Sequence, residues 1–267
     1  MGLSEGAARR FVTDALSGPD PLAGIAEPSP EAVQRLPEVQ NAIRAARESA
    51  GSAIAMAILI NRLLKVSDGK SLQGLWVAEA VDSLRAALLF ASGGLDTSLK
   101  RLVKHALPDL AARDSAVDKQ FQKWAESKVG DDETGAVQAK QLVQILLTAG
   151  VSPRDSLMTN WVYALTDGSA QSAERVRDLA QALGVTDAAL RKRTDPAAKT
   201  PTPLQEAFKA RNEIAHELDV TDPEAEVRKP LEKIRRYRPQ TTIKEWCVEL
   251  LDVTQLITND VARRLSD

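Results

Sequence analysis

The sequence predicts an all-α protein, a multi-helix bundle with inserted helices. Aromatic residues make up only 4% of the 267 residues, whereas alanine and leucine abound, a balance that suits helices better than sandwiches or barrels. From Glu31 onward the helical signal is nearly continuous. In the last segment Ile243, Cys247, Leu250, Ile257, Val261 and Leu265 recur at intervals of three, four or seven residues, the stripe of an amphipathic helix.

The elements follow in chain order. Ala7–Leu16 has a short helical pattern, and Ser17-Gly18-Pro19-Asp20-Pro21 with Pro28-Ser29-Pro30 reads as a loop or adaptable arm. Residues 1–30 are therefore an N-terminal arm and 31–267 the helical domain. Glu31–Ala50 and Ser52–Val66 form one long helix or two, Gly51 being a tolerated weak point. Ser71–Ala91 places Leu75, Ala78, Val81, Leu84, Leu88 and Leu89 at helical spacing, and Gly93-Gly94 offers a break. Leu95–Leu107 continues to a stop at Pro108. Further helices are expected at Ala116–Ser127, Glu133–Ala149, Arg154–Leu165, Ser172–Leu183, Pro203–Leu218 and Asp222–Arg238. The stretch Arg191–Thr202, with two prolines, reads as a linker or variable loop.

Composition excludes several classes. One cysteine cannot build a disulfide framework. Two histidines and that cysteine cannot form a structural Cys/His zinc site. Met1–Gly6 lacks a basic region followed by an apolar run, so no signal peptide is read. The longest uncharged stretches, Ser49–Asn61 and Gln141–Pro153, fall short of the roughly 20 residues a bilayer span needs. A cytoplasmic protein without membrane segment, metal or cofactor is the expectation. The net charge of −2 hides an asymmetry: Arg191–Lys244 holds thirteen Lys/Arg against nine Asp/Glu, a net of +4, and the remainder twenty-two against twenty-eight. A modest basic surface there suits phosphates. The run Arg235-Arg236-Tyr237-Arg238 reads equally as a solvated helix end, favoured by the helix dipole.

One helix carries chemistry. Thr202-Pro203-Leu204-Gln205 is a helix start, with Thr at the cap, Pro at the first position and Gln three residues after the cap. Leu204, Ala207, Phe208, Ile214, Ala215 and Leu218 face a core. Asn212 and His216, four residues apart, stack on one strip with Arg211 beside them. A histidine titrating near neutrality can move protons at ribose and leaving oxygens. An arginine can grip a phosphate and balance charge building on it. The alternative is bland: a surface histidine near a helix end, with Arg211 paired to Glu217 or Glu206.

The segment Arg211-Asn212-Glu213-Ile214-Ala215-His216 resembles the RNxxxH signature of the HEPN superfamily, which includes many prokaryotic toxin and antiviral ribonucleases. Ser71–Leu107 looks like the second helix of the RiboL-PSP-HEPN subgroup, and the resemblance spans about Glu31–Asp267. It implies a HEPN-like helical bundle that dimerises and brings two motifs into one cleft. It also implies metal-independent cleavage of RNA through attack of the 2′-hydroxyl on the neighbouring phosphate. Arg211 would clamp the phosphate, Asn212 orient the phosphate or Arg211, and His216 act as general acid/base. A toxin or antiviral effector, held in check by an antitoxin or regulatory partner protein, is the setting it implies. Since each chain has one well-placed histidine, a two-fold axis would supply His216 twice. A HEPN-like scaffold without activity is the remaining option, because fold alone never implies activity.

Other signals compete. Arg175–Arg193 matches the spacing of a DNA-binding helix-turn-helix through Leu179-Ala180, Leu183-Gly184-Val185 and Leu190. Thr186 would cap a second helix bearing Arg191, Lys192 and Arg193, although Arg193 stands where an apolar residue is usual. A non-catalytic interaction module contacting DNA here is thus the alternative function. Asp68-Gly69-Lys70-Ser71 is similar to the end of a phosphate-binding loop, but Leu64 replaces the first glycine, so a capped turn is expected. His105 shares a polar face with Ser98 and Arg101. Asp131, Asp132 and Glu133 read as helix N-terminal acids, and Cys247 as core packing. Trp76, Trp124, Trp161 and Trp246 are scattered and read as core or interface aromatics, with no stacking platform evident.

Overall fold

The computed structural model describes residues 20–67, 78–129, 150, 152–195, 200–221 and 234–267. Within them lie nine helices: α1 (Pro30–Arg35), α2 (Pro37–Ser67), α3 (Ala78–Arg113), α4 (Ser115–Val129), α5 (Pro153–Asp167), α6 (Ala173–Ala182), α7 (Ala188–Arg193), α8 (Pro203–Glu217) and α9 (Gln240–Ser266). The protein is an all-α multi-helix bundle. Its one β feature among the described residues is an isolated antiparallel bridge between Val220 and Arg235. No described helix is long and apolar enough to cross a membrane. The expected helices at Ala7–Leu16 and Glu133–Ala149, residues 222–233 of the expected helix Asp222–Arg238, the Asp68–Ser71 turn, the acids at Asp131–Glu133 and Trp76 lie outside the described residues.

Several boundaries differ from expectation for physical reasons. Leu36 stands outside the helical region (φ −126°, ψ 48°), as a residue before proline is biased to do, so Pro37 divides the first predicted helix. Gly51 does not interrupt α2. Gly93-Gly94 is no break either: a methyl group at Gly94 would overlap the Ala46 side chain, so this glycine permits close helix approach. Pro108 lies inside α3. It is exposed, while Leu107, Leu110 and Ala111 around it are buried; core contacts on both sides carry the helix past a residue that elsewhere ends one.

The chain divides into two compact units. The first comprises Met1–Glu27, Ala42–Leu95 and Pro196–Gln255. Its core joins Ile54 of α2, Leu84, Leu88 and Leu95 of α3, Leu204 and Phe208 of α8, and Ile243, Cys247 and Leu250 of α9, all 0–3% exposed. Part of the expected arm is packed here: Leu22 and Ile25 are buried. The Ala26 N–H donates to Asp252 at 2.8 Å, and Asp20 accepts from the Leu22 N–H and from Arg47. Burial pushes the Asp20 carboxyl up, but the Arg47 and Leu22 hydrogen bonds and the charges of Arg47 and Lys244 outweigh it and hold the pKa below the usual range.

The second unit comprises Pro28–Asn41, Asp96–Asp195 and Leu256–Asp267. Leu99, Leu102, Val103, Leu110, Val176, Leu183, Ile257 and Val261 are fully buried in it, and α4 packs on α5 and α6. Ser29 caps α1, and its N–H donates to Asn259 at 2.9 Å. The expected stripe of α9 is buried along its whole length, across residues of both units.

Candidate functional site

Helix α8 is built as its sequence dictates. Gln205 N–H donates to Thr202 Oγ1 and Thr202 N–H to Gln205 Oε1, at 3.3 and 2.8 Å, a reciprocal capping box with Pro203 at the first position. Leu204, Ala207, Phe208, Ala210 and Ile214 hold the helix against the core of the first unit. Ala215 and Leu218, expected to face that core, are exposed instead; Leu218 adopts a left-handed conformation that carries its side chain off the helical stripe.

On the opposite side Asn212 and His216 are exposed, and Arg211 is half-buried at the margin of the apolar face. Arg211 Nη1 donates to Asn212 Oδ1 at 3.0 Å. Among the described residues Arg211 pairs with neither Glu206 nor Glu217, and His216 has no hydrogen bond or ion pair. Two members of the trio are thus joined directly. His216 shares their face without a hydrogen bond to either.

The end of α8 holds a group that sequence reasoning missed. Leu218 and Asp219 both have positive φ, 52° and 59°, which costs roughly 1–2 kcal/mol per residue for side chains other than glycine. The Leu218 N–H returns to Ile214 O and the Asp219 N–H to Glu213 O, each at 3.1 Å, satisfying carbonyls left open at the helix end. The Asp219 side chain is fully buried. It accepts from Arg85 Nε at 2.9 Å and from Arg238 Nη2 at 2.6 Å and Nε at 3.1 Å. Arg238 also donates to Glu213 at 2.6 Å and lies 5.7 Å over the Trp246 ring. Asp82 binds Arg85 and Arg235 at 2.8 and 3.0 Å. Burial works to lower the pKa of Arg238, but hydrogen bonds to Asp219 and Glu213 more than offset it, so the cation is fixed.

This network corrects the reading of 235–238 as a solvated helix end. The segment from Arg235 to Pro239 is not helical. The Arg236 N–H donates to Asp219 O at 2.8 Å and the Thr221 N–H to Ile234 O. Arg235 and Arg238 are committed to carboxylates, so these two add little to an open basic surface over Arg191–Lys244. Only Arg236, 3.4 Å from Glu213, remains well exposed. It lines a cleft of about 300 Å³ beside the end of α8, with Glu213, Glu217 and Thr221.

Elsewhere, Arg175–Arg193 does form two helices around a tight turn. Gly184 has φ +74°, and the Gly184 and Val185 N–H groups return to Gln181 O and Ala180 O at 2.8 Å. Asp187, not Thr186, caps α7, placing the start one residue later. Arg191 and Lys192 are exposed. His105 Nε2 lies 2.8 Å from Glu38 Oε2, and Arg101 donates to Glu38 O. Ser98, expected beside them on a polar face, is fully buried with its hydroxyl unpaired among the described residues; it falls on the Leu95–Leu99–Leu102 side of α3. Burial pushes the Cys247 thiol up to about 12, in keeping with a packing role. Among the described residues no group of three or more His, Cys, Asp or Glu could hold a metal ion. No family model, curated protein or solved structure matches this chain.

Proposed function

We propose that the protein is a metal-independent endoribonuclease of the HEPN type, acting as a cytoplasmic homodimer whose composite site joins the Arg211-Asn212-His216 faces of two chains. One observation carries the reading: Arg211 is held by an uncharged partner, Asn212, at 3.0 Å, whereas Arg235 and Arg238 are tied to carboxylates. Its positive charge is left to meet an anion, next to an exposed imidazole. Exposed Leu218 and Tyr237, 60% and 55% accessible, flank the same helix end and offer apolar surface for a second copy to cover.

In this mechanism one His216 takes the proton from a ribose 2′-hydroxyl as its oxygen forms a bond to the adjacent phosphorus. The P–O5′ bond breaks, and the second His216 protonates the leaving oxygen. Arg211, steadied by Asn212, balances charge on the non-bridging phosphate oxygens. The products are a 2′,3′-cyclic phosphate and a 5′-hydroxyl. A toxin or antiviral effector restrained by an antitoxin or regulatory protein is the setting this activity fits. The test is incubation with RNA in excess chelator: cleavage by wild type, abolished in both His216→Ala and Arg211→Ala, is expected. Equal residual cleavage in both variants would overturn the assignment.

A second reading, a non-catalytic module binding DNA through 175–193, draws on exposed Arg191 and Lys192. Against it, the six residues of α7 give a rod of only about 9 Å at 1.5 Å per residue. Retardation of a duplex, lost on neutralising Arg191–Arg193 and accompanied by no RNA cleavage, would favour it.

A further inference from the structure

The second unit contains a cleft of about 300 Å³ that includes none of Arg211, Asn212 and His216 and is assembled from three helices. Helix α4 supplies Gln120, Lys123 and Trp124, which its 3.6-residue period places on one face. Helix α5 supplies Trp161, and α6 supplies Asp178 and Gln181. The two indoles, read as scattered in the sequence, lie 6.3 Å apart, and Phe121 backs both at 6.5 and 5.5 Å. Trp161 is buried and forms the floor, while Trp124 is half-buried and keeps part of its ring open.

Two of the polar groups around these rings lack side-chain partners among the described residues. Asp178 and Gln181 are half-buried, yet among the described residues neither side chain has a hydrogen-bond or ion-pair partner. Lining a cleft and unengaged by other described side chains, both are free to exchange water for a ligand's polar edge. An aromatic floor ringed by a carboxylate, two amides and an ammonium selects a flat ring carrying both donors and acceptors. A simple cation is disfavoured by Lys123. The volume lies at the small end of ligand pockets, about 300–1,000 Å³, room for one such ring with its sugar and no more.

We infer that this cleft binds a single nucleobase. The base stacks on Trp124, its exocyclic amine donates to Asp178, Gln120 and Gln181 read the remaining edge, and Lys123 meets an attached phosphate. A free nucleotide and a base within single-stranded RNA present the same chemistry. The site stands independently of the nuclease reading.

The test follows tryptophan fluorescence of the full chain during titration with AMP, GMP, CMP and UMP, and with a 2′-O-methylated oligonucleotide that cannot be cleaved by 2′-oxygen attack. Saturable quenching is expected. Asp178→Asn should weaken AMP, GMP and CMP at least tenfold with little effect on UMP, and Lys123→Ala should weaken nucleotides but not nucleosides. Tighter binding of mononucleotides assigns the site to a free nucleotide, and tighter binding of the oligonucleotide to a strand. Both variants keep the indoles, and a folding defect would weaken every probe alike, so it cannot imitate the selective pattern. Absence of saturable quenching by every probe would overturn the inference. So would binding unchanged in Asp178→Asn, or a response to choline alone.

Discussion

Replacing Asp219 with asparagine removes one charge and turns one of two accepting oxygens into a donor. Asparagine tolerates the left-handed conformation found there (φ 59°) and nearly matches the shape of aspartate, so backbone strain is held constant. What is lost is the shared counter-ion of two guanidiniums. The side chain of Asp219 is fully buried, and those of Arg85 and Arg238 are 9% and 8% exposed, so solvent screens little of the interaction. Removing one partner of a buried pair costs about 3–5 kcal/mol. Arg85 retains Asp82 and Arg238 retains Glu213, which places the expected loss near the lower end, about 3 kcal/mol. That is a large share of the roughly 5–15 kcal/mol that stabilises a typical domain. For a chain of this size it corresponds to a fall in Tm of about 6–12 °C. Urea and thermal unfolding followed by circular dichroism measure it. A loss below about 1 kcal/mol, the value of a surface pair, would refute the claim that this network locks the end of α8.

Other expectations follow from single sites. The Ser98 hydroxyl is buried and unpaired among the described residues, so Ser98→Ala should leave urea stability unchanged or raise it by up to about 1 kcal/mol; a clear loss would reveal a partner for the hydroxyl. The pKa of Asp20 is lowered in the folded protein from its ordinary 3.8. Its contribution is therefore present above that value and lost as pH falls through the lower folded value. The stability of Asp20→Asn should accordingly fall less steeply than wild type in acid, and parallel curves would contradict the assignment. With its thiol pushed up to about 12 and buried, Cys247 should resist alkylation by iodoacetamide at pH 8 and react on unfolding. Rapid labelling of native protein would show that the stripe of α9 opens.

Much of the local chemistry was readable in the sequence where partners lie a few residues apart, although the Thr186 cap and the polar placement of Ser98 were misread at that range. The Thr202–Gln205 capping box, the stripe of α9 and the shared face of Asn212 and His216 depend on spacings of three to seven, which the helix period alone determines. What escaped was long-range. Asp219 finds Arg85 across 134 residues and Arg238 across 19, and nothing local distinguishes those arginines from solvated ones. Gly94 reads as a helix break until Ala46 is set against it, and Pro108 as a stop until the burial of Leu107 and Leu110 is known. Trp124 and Trp161 are 37 positions apart and meet only through the packing of α4 on α5. One local signal was available at Asp219: an acid just past a helix C-terminus, opposite to the dipole preference, implies a cation from elsewhere.

The chemical identity of the RNA ends tests the central claim most directly. Purified protein acting on RNA in excess chelator should leave 2′,3′-cyclic phosphate and 5′-hydroxyl termini, with no such termini formed by His216→Ala. Termini bearing 3′-hydroxyl and 5′-phosphate, or cyclic ends produced equally well without His216, would contradict it.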